Sequence, residues 1–219
     1  MRRLVIGLAA ATLLVAGCKD EGTLSSSDPK EVAKAIHAVS SAGDDRAVER
    51  IAPLASHADT QTASEAVLAL GRMSSPKALA VLQQVAVADH RPEVRQVAME
   101  ALVQRKEPEA LETLRETLTR DPAPEVRTVV AMGLARAGTV DDVGALATAV
   151  GRETNPKVAQ AEVLAMGALL GVKFPPPDPK MSPEQRKAQL QRIRKTALEL
   201  AAAKKNGTGT GGCKHDSPR

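Results

Sequence analysis

The chain has 219 residues, with 30 basic and 26 acidic side chains and a formal net charge of +4; it contains no Trp, no Tyr and one Phe, Phe174. That inventory excludes base-stacking platforms, aromatic cages for quaternary ammonium ligands and aromatic sugar-binding surfaces, all of which need several exposed rings. A charge this close to balance gives little support for a nucleic-acid partner, and the length suits one domain or a short repeat array.

Arg2 and Arg3 open the chain, and residues 4 to 16 form an apolar run broken only by Gly7 and Thr12. The run is too short to settle as a spanning helix and reads as a signal peptide over residues 1 to 17. Its end, Leu14, Val15, Ala16, Gly17 and Cys18, resembles the lipobox of bacterial lipoproteins. The resemblance implies cleavage before Cys18, lipidation of its thiol and a mature chain that keeps 28 basic residues against 26 acidic ones. Each buried acyl methylene is worth about 0.8 kcal/mol, so the lipid would attach the protein to a membrane without any spanning segment. A lipidated Cys18 leaves Cys213 without an intramolecular partner, and no structural disulfide is expected. Lys19 stands after Cys18 where an aspartate would signal retention. The sorting rule of Gram-negative lipoproteins then implies the outer membrane, facing the periplasm. Residues 18 to 28 read as a tether ending near an N-cap at Asp28.

Next comes an internal repeat. The stretch DHRPEVRQVAMEALVQRKEPEALETLRETL, beginning at Asp89, recurs as DPAPEVRTVVAMGLARAGTVDDVGALATAV, beginning at Asp121, and the interval between these two aspartates is the repeat period. Ala69, Leu70, Pro76, Leu79 and Leu82 fall in register one period earlier, and Pro156, Val158 and Met166 one period later. Within a copy, Val94, Val97, Ala98, Ala101 and Leu102 follow helical spacing, and a proline or another breaker opens each half. The unit is a pair of short antiparallel helices, and each apolar stripe needs the next pair to cover it. Residues 29 to 171 are therefore expected to form an all-α, right-handed α-solenoid of about four to five helix pairs.

The aspartate, the short loop, the PEVR tetrapeptide and the Ala-Leu pair resemble HEAT repeats, in particular the short bacterial type first recognised in phycobilisome lyases. That resemblance implies a ladder between neighbouring repeats built from Asp89 with Arg95 and Asp121 with Arg127. Ala63 and Ala159 stand where the arginine would recur, so the ladder is expected only in the middle of the array. It also implies that the PEVR helices line a concave groove. Three columns of residues at the repeat period follow from that placement: Val67, Met99, Ala131 and Val163; Leu68, Glu100, Met132 and Leu164; Gly71, Val103, Ala135 and Gly167. Their mostly apolar character marks an interaction surface, with Val67, Leu68, Met99, Glu100, Val103, Met132, Val163 and Leu164 as the expected contacts.

A Pro-rich linker over residues 172 to 183 precedes an amphipathic helix expected over residues 184 to 204, with Leu190, Ile193, Ala197, Leu200 and Ala201 on its apolar stripe. Capping the last repeat, filling the groove or docking on a partner are its three uses. Residues 205 to 219 read as a glycine-rich tail carrying Cys213, His215 and Asp216, too few ligands for a metal centre. His37, His57 and His90 make no catalytic constellation. The expected protein is an envelope lipoprotein and a non-catalytic scaffold that binds a protein partner, with no cofactor, metal, nucleic acid or small-molecule substrate. A lyase-like or maturation subunit of an envelope enzyme is the competing reading.

Overall fold

The computed structural model describes residues 24–26, 28–178 and 180–207. Cys18, most of the expected tether, Cys213 and His215 lie outside the described residues. Among those described there are ten α-helices and no strand: α1 (Pro29–Ser40), α2 (Asp45–Ile51), α3 (Thr60–Arg72), α4 (Pro76–Ala88), α5 (Pro92–Arg105), α6 (Pro108–Arg120), α7 (Pro124–Ala137), α8 (Val143–Val150), α9 (Pro156–Leu170) and α10 (Pro183–Lys205). The protein is an all-α solenoid.

Helix starts are fixed locally. Proline occupies the first turn of α1, α4, α5, α6, α7, α9 and α10, where its missing N–H costs nothing and its φ suits the helix. Side chains cap others: Asp59 accepts from the Thr62 N–H at 2.7 Å, and Ser182 forms a reciprocal capping box with Gln185. α5, α6 and α7 lack a side-chain N-cap. α9 stops at Gly171, whose φ of 69° is open to glycine at no steric cost.

Packing separates the helices into two layers. The first helices of the pairs, α3, α5, α7 and α9, pack side by side in series. The second helices α4, α6 and α8 instead pack on the first helix of the following pair and touch one another far less. The tighter layer is the inner, concave one. Its spacing is set by glycine: a Cβ at Gly133 would lie 2.3 Å from Val103 Cγ2, and one at Gly71 would lie 2.8 Å from Ala101 Cβ. Leu70, Leu82, Leu102, Leu114, Leu134, Leu146 and Met166 fill the space between layers, all fully buried.

α10 closes the array. Leu190, Ile193, Ala197 and Ala201 are buried against α8 and α9. Of the three uses open to this helix, the structure shows the cap.

Candidate functional site

The inner layer exposes one stripe per helix. On α5 the stripe is Glu93, Gln96, Val97, Glu100 and Gln104, and α3, α7 and α9 repeat the register. The column of Leu68, Glu100, Met132 and Leu164 lies on it. Leu68 is 40% exposed, Met132 57% and Leu164 56%, high values for apolar side chains on the inner layer. Around Met132 and Leu164 an open groove of about 680 Å³ is lined by Glu100, Gln104, Val129, Arg136, Lys157 and neighbouring alanines of α7 and α9.

Of the other two expected columns, the Val67 column does not line this groove, and the Val103 column reaches it only at Ala135. Val67, Met99 and Val163 are fully buried, as is Ala131, and Val103 is buried beneath Gly133. An inner helix is covered by its hairpin partner and by both neighbours in the layer, so it buries a wider arc than a two-faced amphipathic helix. The Val67 column falls in the seam between inner helices, and the Val103 column at their closest approach. The reading from sequence missed Val129, Gln104, Arg136 and Lys157: Val129 and Arg136 flank Met132 on its own helix, Gln104 lies one period before Arg136, and Lys157 lies two turns before Leu164, so the repeat register would have placed them.

The arginine ladder joins repeats, with partners shifted from those expected. The Arg95 guanidinium donates to both carboxylate oxygens of Asp121, at 2.7 and 2.8 Å, and to the backbone carbonyl of Asp89 at 2.9 Å. Arg127 repeats this one period later, donating to both carboxylate oxygens of Glu153 at 2.8 and 3.0 Å and to the Asp121 carbonyl at 2.8 Å. Each arginine thus reaches the backbone six residues before it and the carboxylate 26 residues after it. The carboxylate of Asp89 is held by Arg91, which also donates to the His57 carbonyl at 2.7 Å. Bidentate geometry with loop carbonyls at the repeat boundary is what a planar guanidinium supplies and an ammonium does not. The Arg91 hydrogen bonds hold Asp89 below the usual carboxylate range against the pull of burial. Burial pushes Glu153 up; Arg127 and the N–H groups of Asn155 and Thr154 outweigh it and leave the group lowered.

Beside the ladder's last step sits Glu162 of α9, fully buried, with neither carboxylate oxygen hydrogen-bonded. Burial pushes its carboxyl up to about 8, the nearby Glu153 charge adds to the rise, and Arg127 opposes it. Its counterparts one, two and three periods earlier are Val130, Ala98 and Ala66. A neutral, protonated acid therefore occupies a core position that other repeats fill with small apolar side chains.

Nothing in the groove assembles a nucleophile with a base or an acid. Among the described residues no group of three His, Cys, Asp or Glu side chains is placed to hold a metal ion. What the site offers is an apolar strip between charged edges.

The family model describing HEAT repeats matches residues 21–103 and 84–167. No curated protein matches the chain. Among solved structures, an engineered protein from the Northeast Structural Genomics Consortium is similar over 87% of this chain and 96% of its own, at 17% identity and a TM-score of 0.47.

Proposed function

The chain belongs to the HEAT-repeat family, and on that premise we propose that it is a lipid-anchored, non-catalytic scaffold whose concave face binds a protein partner at an envelope membrane. The observation that carries the binding role is the exposed row of Leu68, Met132 and Leu164 along the inner layer. Apolar side chains aligned in one column of the inner layer, here interrupted only by Glu100 on α5, and rimmed by polar groups mark an interaction surface, whereas scattered ones do not. The anchor rests on Cys18 and the apolar run before it. No helix among the described residues is long and apolar enough to cross a membrane, so attachment in this reading falls to the lipid. The anchor raises the scaffold's effective concentration at the surface, and a modest groove affinity then suffices. The outer membrane is the expected site.

Two readouts test the two halves. Metabolic labelling with a fatty acid should tag the protein, and Cys18→Ser should abolish both the label and membrane retention; a labelled Cys18→Ser protein sinks the anchor. A photo-crosslinking residue placed at Met132 or Leu164 in cells should capture one defined protein, and the same residue at Val87 on the outer layer should not. Val87 is 64% exposed, so access is matched. Equal capture at Val87, or none at the groove, removes the binding role.

A further inference from the structure

The groove has polarity. Inner helices run parallel to one another, so their first turns form one edge of the concave face and their last turns form the other. Glu93 and Glu125, one period apart, stand in the first turns of α5 and α7; Arg72 and Arg136, two periods apart, stand in the last turns of α3 and α7. All four are exposed or half-buried, and no ion pair joins any of them to a described residue, whereas Arg91, Arg95, Arg105, Arg115 and Arg127 are all paired within the fold. The helix dipole favours acids at the start and bases at the end of each helix, which explains the sign of each edge. Parallel stacking then places acids at the first-turn edge on α5 and α7 and bases at the last-turn edge on α3 and α7, with Leu68, Val129, Met132 and Leu164 between them; the first turn of α3 carries no acid and the last turn of α9 no base. At α9 the acidic edge ends in Lys157.

The dimensions select an occupant. Glu125 and Arg136 are eleven residues apart on one helix, or about 16 Å, and a helix with its side chains is about 10–12 Å across. Neighbouring inner helices lie about 8–10 Å apart, and seven residues of an α-helix rise about 10.5 Å. A helix lying along the floor therefore presents every seventh residue to one member of the column Leu68, Glu100, Met132 and Leu164. Crossing from α3 to α9 at that rise takes a helix of about 20 residues.

Resting on the proposed binding role, we infer that the partner segment is an amphipathic helix of that length with oppositely charged flanks. Its acidic flank faces Arg72 and Arg136, and its basic flank faces Glu93 and Glu125. Its apolar stripe carries residues at i, i+14 and i+21 against Leu68, Met132 and Leu164, and a cation at i+7 against Glu100. Charge on the flanks fixes direction and rejects the reversed helix; the apolar stripe supplies affinity.

The test uses the full chain in lipid nanodiscs and two fluorescein-labelled helical peptides of identical length and composition. Both carry Leu at positions 1, 15 and 22 and Lys at position 8; one has the flanks described above and the other has them exchanged. Fluorescence anisotropy should show at least tenfold tighter binding of the first peptide, and exchanging all four charges, Glu93→Arg and Glu125→Arg with Arg72→Glu and Arg136→Glu, should reverse the preference. Equal binding of both peptides, binding of neither, or full displacement of both by oleate overturns the inference, the last result making the groove a site for a fatty acyl chain. A partner crosslinked at Met132 in cells alongside equal peptide binding leaves the binding role standing and removes only the charged-flank helix.

Discussion

The middle of the array and its last inner helix bury charge in opposite ways. Between α5 and α7, Arg95 and Asp121 are both buried, and every strong hydrogen-bonding group they carry meets a carboxylate, a guanidinium, a loop carbonyl or the Ala123 N–H. On α9, Glu162 is buried with no hydrogen bond to its carboxyl group. The difference lies in what stands at the arginine register. Arg95 and Arg127 continue the ladder, and Ala159 ends it, so no guanidinium issues from α9 and Glu162 gains only distant attraction from Arg127. The middle gives each buried charge a hydrogen-bonded partner; the end remains neutral by holding a proton.

The largest way to break this comparison is to remove one partner in the middle. Arg95→Ala leaves the Asp121 carboxylate buried beside a loop carbonyl, and should cost about 3–5 kcal/mol. The cost falls at the boundary between repeats, and solenoid stability is a sum of repeat and nearest-neighbour terms. Urea unfolding followed by far-UV circular dichroism, the readout suited to a chain without Trp or Tyr, should therefore show a lower midpoint and a shallower slope. A sharp single transition at the wild-type midpoint would mean that the ladder does not couple the repeats.

Glu162 should reveal itself through pH. Unfolded, its carboxyl ionises near the ordinary 4.5; folded, it holds its proton to about 8. Unfolding therefore releases a proton between those values, and stability falls as pH rises through that window and levels above it. At roughly 1.4 kcal/mol per pKa unit, the decline reaches up to about 5 kcal/mol. Glu162→Gln should flatten that slope, matching wild type near pH 5 and exceeding it near pH 8.5 in thermal melts. Glu153 carries the opposite dependence, its lowered carboxyl costing stability only on acidification, so the two windows do not overlap. Equal slopes for wild type and variant would show that Glu162 ionises in the fold.

Much of this was legible in the chain because a repeat places the same demand on the same position in every copy. Leu70, Leu102 and Leu134 read as core from register alone, and the prolines announced the helix starts. The groove's facing side was not legible to the same degree. Met99 and Met132 are both methionines on inner helices, one residue out of register with each other, and that single position separates a fully buried side chain from one 57% exposed. Amphipathic spacing cannot distinguish a seam from a groove when a helix is covered on three sides. Glu162 was passed over although it is the one acid in a column of Ala66, Ala98 and Val130, and its burial without a partner emerges only from the packing of α9. The forward reach of each arginine, across most of a repeat, was hidden because its acceptor changes from Asp121 to Glu153.

Close approach gives a smaller contrast within the inner layer. Gly133→Ala would drive a Cβ into Val103 Cγ2 at 2.3 Å, and Gly167→Ala would meet the Val172 carbonyl oxygen at 2.7 Å. Overpacking of this kind costs about 1–3 kcal/mol. In the middle of the array the obstacle is a side chain, so Val103→Ala should recover most of the loss caused by Gly133→Ala. At the end it is backbone, and truncating Phe174, the next nearest group, should recover none of the Gly167→Ala loss. Thermal melts of the two double variants against their single parents decide between these outcomes.

The smallest expected effect isolates burial from pairing. Arg120 on α6 pairs with Glu116 four residues earlier at 3.0 Å, a distance close to those in the ladder, yet its side chain is 75% exposed. Both groups remain hydrated when the pair opens, and holding two long side chains in one geometry costs rotamer entropy that offsets the attraction. Arg120→Ala should therefore change the unfolding free energy by less than about 0.5 kcal/mol, and added salt should erase even that. Arg95→Ala should keep most of its penalty in the same salt titration, because the Asp121 carboxylate it strands lies where ions do not reach. Similar losses for the two variants would mean that pairing itself, and not the burial of Asp121, stabilises the middle of the array.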